Sequence, residues 1–385
     1  MPVALIGEQK ESKKDVNTRT AQLVHHLTEI GPDIPEIARR LGQFKESVRY
    51  RYKEKIVNRG FAVQAAVDHE RFGLKRIIFV VDFAPQYKEY AAAILTAMHD
   101  LAYVNSFAKT LPDGLFVVNA SVPVEHAENF SQFINLLSQK GLFSVQRVLP
   151  FDWFRTQPMR AEFHDFDTGR WDFDWSSGTS LGNTGADYFP SQRTRFDYTD
   201  LLIIKELQID ANQSLVEISE KLKIGYKKLS WHYASHVLKN HLIKSYRVNW
   251  MGTRYDYKLE KALHRKHRYL AVDLLVANIS EYERMELMAK TNGVPFLWGE
   301  ACGKHYFAEF AFPVDTITEA FQLLENIIAP VRERATYYVM DITNALSFTV
   351  CSQLYDQGEK RWMFNSPELA SRFDNLILKI REHSG

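Results

Sequence analysis

Cysteine is nearly absent: Cys302 and Cys351 are the two thiols in 385 residues, and no CxxC spacing occurs. They make neither a zinc ligand set nor a disulfide framework, and a reducing cytoplasm is the compartment expected. Net charge is nearly absent too, with 48 Lys and Arg against 47 Asp and Glu. This excludes a histone-like coat that binds nucleic acid through bulk charge, so any such contact must be local and salt-sensitive. No apolar run reaches membrane-spanning length, the opening MPVALIGEQKESKKD is too short in apolar residues for a signal peptide, and no membrane partner is expected. Walker, GxGxxG and GxSxG patterns are missing, so no phosphate loop, dinucleotide fingerprint or nucleophile elbow is in view. What is present, 45% apolar and 25% charged residues, is globular in composition and suits roughly two to four domains.

The stretch from Asp33 to Phe61, DIPEIARRLGQFKESVRYRYKEKIVNRGF, reads as a helix-turn-helix, and Ser214 to Leu242 repeats it 181 residues later (214 − 33 = 181). Asp33 with Glu36, and Ser214 with Glu217, have capping-box spacing. Ile34, Ile37 and Leu41 recur at helical spacing, as do Leu215, Ile218 and Leu222. A turn follows at Gly42, or at Gly225. The next helix carries Phe44, Val48, Tyr52 and Ile56 on one stripe, answered by Leu229, Tyr233 and Val237. Its other face presents Lys45, Ser47, Arg49, Tyr50, Arg51 and Lys53, and the copy presents Lys227, Lys228, Ser230, Trp231 and His232. Between Glu36 and Gly60, Arg39, Arg40, Lys45, Arg49, Arg51, Lys53, Lys55 and Arg59 outnumber Glu36, Glu46 and Glu54. That is the footprint of phosphate binding, set against the plainer reading of a solvated basic face.

A polar arm over 1–17 and a helix, RTAQLVHHLTEI, precede the first copy; DLLIIKELQI precedes the second. After each copy comes an alternating strand, 61–68 and 242–250, where a wing would lie. Then RIIFVVDF, YKEYAAAILTAMHDL, YVNSFAKTL, LFVVNASV, HAENFSQFINLLSQKG and SVQRVLP read strand, helix, strand, strand, helix, strand, the split ferredoxin-like order. RYLAVDLLVA, EYERMELMAKTNG, VPFLWGEAC, HYFAEFAFP, TITEAFQLLENII and ATYYVMD repeat it. A hairpin with one aromatic side follows each unit, at Phe166 to Trp171 and at Tyr355 to Trp362; exposed aromatics there favour further assembly. The expected class is α+β, divided as 1–68 winged helix-turn-helix, 69–175 ferredoxin-like, 176–196 linker, 197–250 second winged helix-turn-helix and 251–385 second ferredoxin-like unit with a C-terminal helix.

A winged helix-turn-helix followed by this ferredoxin-like order resembles the Lrp/AsnC family of prokaryotic transcription regulators. The likeness runs through ESVRYRYKEKIVNRGFAVQAAVDHERFGLKRIIFVVDF in the first half and DYTDLLIIKELQIDANQSLVEISEKLKI in the second. It implies an internal pseudo-dimer that is a regulator and not an enzyme, further paired as a homodimer. Recognition helices would enter the major groove of double-stranded DNA through the eleven residues named above. It further implies a small-molecule effector between the ferredoxin-like units, with unassigned binding residues; Pro112-Asp113-Gly114 and Cys302-Gly303-Lys304 do not closely match the family's turn.

No cofactor or metal is expected. His164, Asp165, Asp167, Asp172 and Asp174 alternate with aromatic residues and read as the polar face of a hairpin. The competing class is enzymatic, because some Lrp-like proteins act as siroheme decarboxylases with the helix-turn-helix reduced to scaffold. That reading requires a tetrapyrrole pocket lined by His and Arg; a third class is a protein-interaction module with a vestigial helix-turn-helix, its ferredoxin-like pair binding another protein.

Overall fold

A computed structural model describes residues 13–175, 192–251 and 268–383. Its first helices are α1 (Lys13–Ile30), α2 (Ile34–Leu41) and α3 (Lys45–Arg51), the last running on into a wider π turn over Tyr52–Val57. Asp33 caps α2 by accepting the Glu36 N–H, and Gly42 ends it in the left-handed region at φ +61°. The return half of the expected capping box does not form, because Arg39 and Arg40 take the Glu36 carboxylate in charge-assisted hydrogen bonds. Two guanidinium partners hold that carboxyl down at about 2. Two other expectations fail here. Residues 13–17 belong to α1 and not to an arm, and Phe44 points outward, 86% exposed, while Val48, Tyr52 and Ile56 face the core.

The second half lays down the same order. Helices α6 (Tyr198–Ile209), α7 (Leu215–Leu222) and α8 (Tyr226–His232) are again followed by a π turn, Tyr233–Leu238. Here both capping boxes are complete, Asp197 with Asp200 and Ser214 with Glu217. The strands after the two triplets, β1 (Ala62–Val67) and β7 (Ile243–Asn249), pair antiparallel into a ribbon with Ala65 opposite Tyr246. Those two are separated by the same 181 positions (246 − 65 = 181), so each strand meets its own counterpart in place of forming a free wing. Tyr246 also closes over Gly31, whose φ of +73° ends α1; a β-carbon there would come within 2.7 Å of the ring.

Nine further strands make one antiparallel sheet. In the first half these are β2 (Leu74–Phe83), β3 (Val104–Leu111), β4 (Phe116–Pro123), β5 (Phe143–Phe151) and β6 (Trp153–Thr156). The second half contributes β8 (Tyr269–Val276), β9 (Leu297–Cys302), β10 (Tyr306–Pro313) and β11 (Ala335–Ser347). The order is β5-β2-β4-β3-β11-β8-β10-β9-β6. Each half thus supplies four strands in the ferredoxin-like order, and each sends a strand across: β11 pairs with β3, and β6, continuing β5, pairs with β9. Helices α4 (Ala91–Ala102) and α5 (Ala127–Gln139) cover the first half's strands, and α9 (Glu281–Asn292) and α10 (Ile317–Ile328) the second's.

Period-two alternation explains the layering. Ile77, Phe79 and Val81 belong to the core under the helices, while Ile78 and Val80 join Leu275, Ala301, Phe307 and Met340 from the other half in a core of their own. The appended segments also turn inward. Phe166 and Trp362 are 3% and 1% exposed, and Trp171, Phe173 and Trp175 pack on Phe296 of the second half. The first of them makes a single bridge, His164 to Trp171, and the second is the two-stranded β12 (Tyr355–Asp356) and β13 (Arg361–Trp362). They offer no exposed aromatic stripe for assembly. A last helix, α11 (Ser366–His383), packs against α5. The expected linker, apart from 192–196, and most of the 251–267 insertion lie outside the described residues. No helix among the described residues is long and apolar enough to cross a membrane.

The β6–β9 join holds a charge pair. Glu300, wholly buried, faces its cross-strand partner Arg155 and accepts from Arg155 Nε at 2.7 Å, Gln157 Nε2 at 2.6 Å and the Tyr306 hydroxyl at 3.1 Å. Removing the guanidinium strands a buried carboxylate. Arg155→Ala is expected to cost about 3–5 kcal/mol in denaturant unfolding, and Arg155→Met with Glu300→Leu distinctly less. A single-variant loss under about 1 kcal/mol would show that the join does not rest on this pair.

Candidate active site

The ribbon β1–β7 roofs one face of the nine-stranded sheet and leaves a cavity of about 320 Å³ beneath it, within the size range of small-molecule sites. Charged residues on four strands line it, Arg76 on β2, Arg247 on β7, Asp273 on β8 and Glu309 on β10, together with His69. Charges cost free energy in such positions unless they are paired or used.

Both guanidiniums lie on aromatic faces, Arg76 at 4.0 Å from the Phe154 ring centre and Arg247 at 4.1 Å from that of Trp298. Arg247 also donates to the Thr156 hydroxyl at 2.9 Å. Burial pulls each of them down to about 10; for Arg247 the neighbouring charge of Arg76 works in the same direction. Asp273 stands directly opposite Glu309 in the β8–β10 register. Burial raises the Asp273 carboxyl well above its usual range, and the Glu309 charge adds to that. Burial raises Glu309 as well, partly offset by Arg76, Arg247 and a hydrogen bond with Asn119. Two like charges this close do not both ionise readily, which pushes both carboxyls upward.

His69 shares the Ser121 hydroxyl with Asn105, at 2.6 and 2.7 Å, and burial beside Arg76 takes its imidazole down to about 3, leaving it neutral near pH 7. Two buried polar atoms of the lining, Arg76 Nε and Asn119 Oδ1, find no hydrogen-bond partner in the protein. Buried polar atoms rarely go unmatched without a reason. Together these groups equip the cavity to take a carboxylated ligand, with guanidiniums for its anions and an acid pair whose raised carboxyls suit a proton source.

The residues expected at DNA lie elsewhere, on the helix triplets. Lys45, Ser47, Arg49, Tyr50 and Lys53 are exposed, and Arg51 is half-buried and donates to Gln43 at 2.8 Å. Much of the local positive charge is matched: Arg49 by Glu46, Arg39 and Arg40 by Glu36, Lys55 and Arg59 by Asp167. In the second half Lys227, Lys228 and Trp231 are exposed and Ser230 is half-buried. His232 does not face outward as its helical position implied. It is 5% exposed and turned toward the start of α6, with Nδ1 3.0 Å from Asp200. The cavity residues went unremarked in the sequence, although part of the signal is there: Asp273 and Glu309 are single charges in otherwise apolar strand runs.

No family model matches the chain, and no curated protein does. Solved structures do. The crystal structure of the siroheme decarboxylase NirDL aligns with 94% of this chain and 100% of its own at 12% identity and a TM-score of 0.51. The same enzyme in co-complex with an iron-uroporphyrin III analogue aligns over 89% and 94% at 11% identity, TM-score 0.49. The fold is therefore Lrp-like and α+β, as expected. The expectation that the chain is not an enzyme does not stand, since the solved structure sharing this fold over 94% of the chain is an enzyme.

Glu70 gives the site a pH dependence. Its Oε1 accepts the backbone N–H of Phe154, the residue under Arg76, and burial, aided by Asp68, raises its carboxyl to about 7. A group raised in the folded state contributes stability that is fully present below its unfolded value, near 4.5, and lost as pH climbs through about 7. Wild type should therefore lose stability across that window, and Glu70→Gln, which keeps an acceptor, should lose less. Equal pH profiles in thermal melts would count against this account.

Proposed function

We propose that this protein is an Lrp-like decarboxylase that takes a carboxylated tetrapyrrole of the siroheme class into the cavity under the β1–β7 ribbon. In this reading the chain is two copies of one unit, divided as expected from the sequence, with both helix triplets serving as scaffold for the ribbon. The observation that carries it is the pair of buried arginines, Arg76 and Arg247, in one cavity with His69 and the facing carboxyls of Asp273 and Glu309. Siroheme, the substrate class named for the structural neighbour, is an iron tetrapyrrole edged with carboxylates, anions of the kind the two guanidiniums take.

Decarboxylation breaks the bond between a side-arm carbon and its carboxylate, releases carbon dioxide, and leaves an electron pair on that carbon which must gain a proton. Arg76, with its open Nε–H, and Arg247 hold carboxylates that do not react, fixing the orientation of the ring. The stacked Phe154 and Trp298 keep both guanidiniums in place. Asp273, kept protonated by burial and by Glu309, delivers the proton. His69 offers a neutral imidazole, the form that can coordinate the substrate's iron. Closure of the ribbon over the site limits water, which would otherwise solvate the reacting carboxylate and slow its loss.

The alternative, a DNA-binding regulator, draws on the exposed Lys45, Ser47 and Tyr50 of α3 and Lys53 of the π turn after it. One experiment separates them. Adding siroheme to the purified protein is expected to shift its visible absorbance at stoichiometric ratio and to yield a product lighter by one or more carbon dioxide units. Arg76→Ala with Arg247→Ala should weaken binding at least about a hundredfold, and Asp273→Asn should bind yet turn over at least about a hundredfold more slowly. Arg49→Ala with Arg51→Ala should change neither. No spectral shift, together with salt-sensitive binding of duplex DNA that is lost in the α3 variant, would replace this proposal with the regulator.

A further inference from the structure

Away from the cavity, the second helix triplet carries a cluster that the proposed chemistry leaves unused. Asp197 and Asp200 stand at the start of α6; His232 ends α8, and His236 lies one turn on. The i,i+4 spacing puts both imidazoles on one face. Each directs Nδ1 at the carboxylates. His232 Nδ1 is 3.0 Å from Asp200 and 3.4 Å from Asp197, and His236 Nδ1 is 3.0 Å from Asp200 and 3.8 Å from Asp197. All four ligand atoms lie within 4.8 Å of one another.

These separations suit a single ion. Four N and O ligands at about 2.0–2.1 Å from a tetrahedral metal stand about 3.3–3.4 Å apart, within the 3.0–3.8 Å span of the histidine–carboxylate distances. The backbone supports the arrangement. Asp197 Oδ1 is occupied in capping α6, accepting the N–H groups of Thr199 and Asp200, so Oδ2 is the atom turned to the histidines. Asp200 is wholly buried, and among the described residues neither carboxylate has a lysine or arginine ion-pair partner. Asp197 and His236 keep 38% and 25% of their side chains exposed, which provides an entry path.

The same joint in the first half closes without such a set. Counting back 181 positions, Asp197, Asp200, His232 and His236 correspond to Val16, Arg19, Arg51 and Lys55. Packing of the helix triplet therefore has no inherent need for two acids and two histidines. We propose that Asp197, Asp200, His232 and His236 form a structural site for a divalent transition metal, zinc in the first instance, that fastens α6 to α8. The two imidazoles favour such an ion over calcium or magnesium, which take oxygen ligands. The inference stands apart from the function proposed for the cavity.

The test uses the full-length protein, stripped with chelator and then titrated with cobalt(II) or zinc(II) alone. One equivalent of cobalt(II) is expected to give the intense visible bands of a low-symmetry four-coordinate site, and zinc(II) is expected to displace it and raise the melting temperature. Asp197→Asn, which keeps the helix cap, and His236→Gln should each weaken binding at least about tenfold and abolish the zinc-induced rise in melting temperature. Both variants, if folded, should melt near the metal-free wild type, which separates lost ligation from lost structure. Absence of stoichiometric binding, or binding of equal strength in wild type and both variants, would overturn the proposal.

Discussion

Arg155 and Glu300 meet where the two halves join, and the architecture turns on that join. A β6 strand that stayed with its own half would leave β9 as an open edge, and the core containing Ile78, Val80, Leu275 and Phe307 would face water. Crossing strands solve both problems. The long β11 pairs with β8 along its first part and with β3 along its last, and β5 with its continuation β6 does the matching work on the other side. The buried pair is an expensive way to make such a contact in free energy, since apolar residues of similar volume would pack there as well. What charge adds is register: Glu300 reaches Arg155, Gln157 and Tyr306 together in one alignment of β6 on β9. A slip by one residue would bury the carboxylate without partners.

The cavity inherits its position from that join. Because the strands of both halves lie in one sheet, Arg76 of the first half and Arg247, Asp273 and Glu309 of the second come to one place. The ribbon closes the space because each half contributes one strand to it. Neither half makes the site alone: Arg76, on the Phe154 ring of β6, comes from the first half, and Arg247, on the Trp298 ring of β9, comes from the second. The acid pair has the same dependence. Asp273 and Glu309 oppose each other within the second half, but the cations that moderate Glu309 arrive from β2 and from the ribbon.

Much of this was legible in the sequence. The two runs of strand, helix, strand, strand, helix, strand emerged at their expected places because buried strands and amphipathic helices have distinct periods. Caps were legible where the competing charges were few: Ser214 and Glu217 close their box, whereas Glu36 is drawn off by Arg39 and Arg40. The failures have a common cause. Phe44 and His232 were assigned faces from helical spacing alone, but Phe44 sits at the cap before α3, outside the helical phase, and His232 is turned inward by an acid 32 residues away. The cavity needed more still, since Arg76, Arg247, Asp273 and Glu309 are spread over four strands and no spacing rule connects them. The clue available was the oddity of Asp273 and Glu309 in their apolar runs, and that clue marks a residue as needing a reason without supplying the reason.

The two helix triplets show how far counterparts can part while the backbone order persists. In the first, cations cover the surface of α2 and α3, and acids within reach neutralise many of them; in the second the basic face is reduced to lysines, and the histidines turn inward to acids at the start of α6. A pair of DNA-reading helices in one chain would be under a common constraint, since both face the same polymer of phosphates. Two triplets whose shared task is to hold β1 against β7 are under no such constraint. Each needs to keep its inward stripe, Val48, Tyr52 and Ile56 in one and Leu229 and Val237 in the other, and its outward residues are free to diverge. The conserved part of the design is thus the part that roofs the cavity, and the divergent part is the part that would have touched DNA. That division of constraint favours chemistry under the ribbon over recognition by the helices.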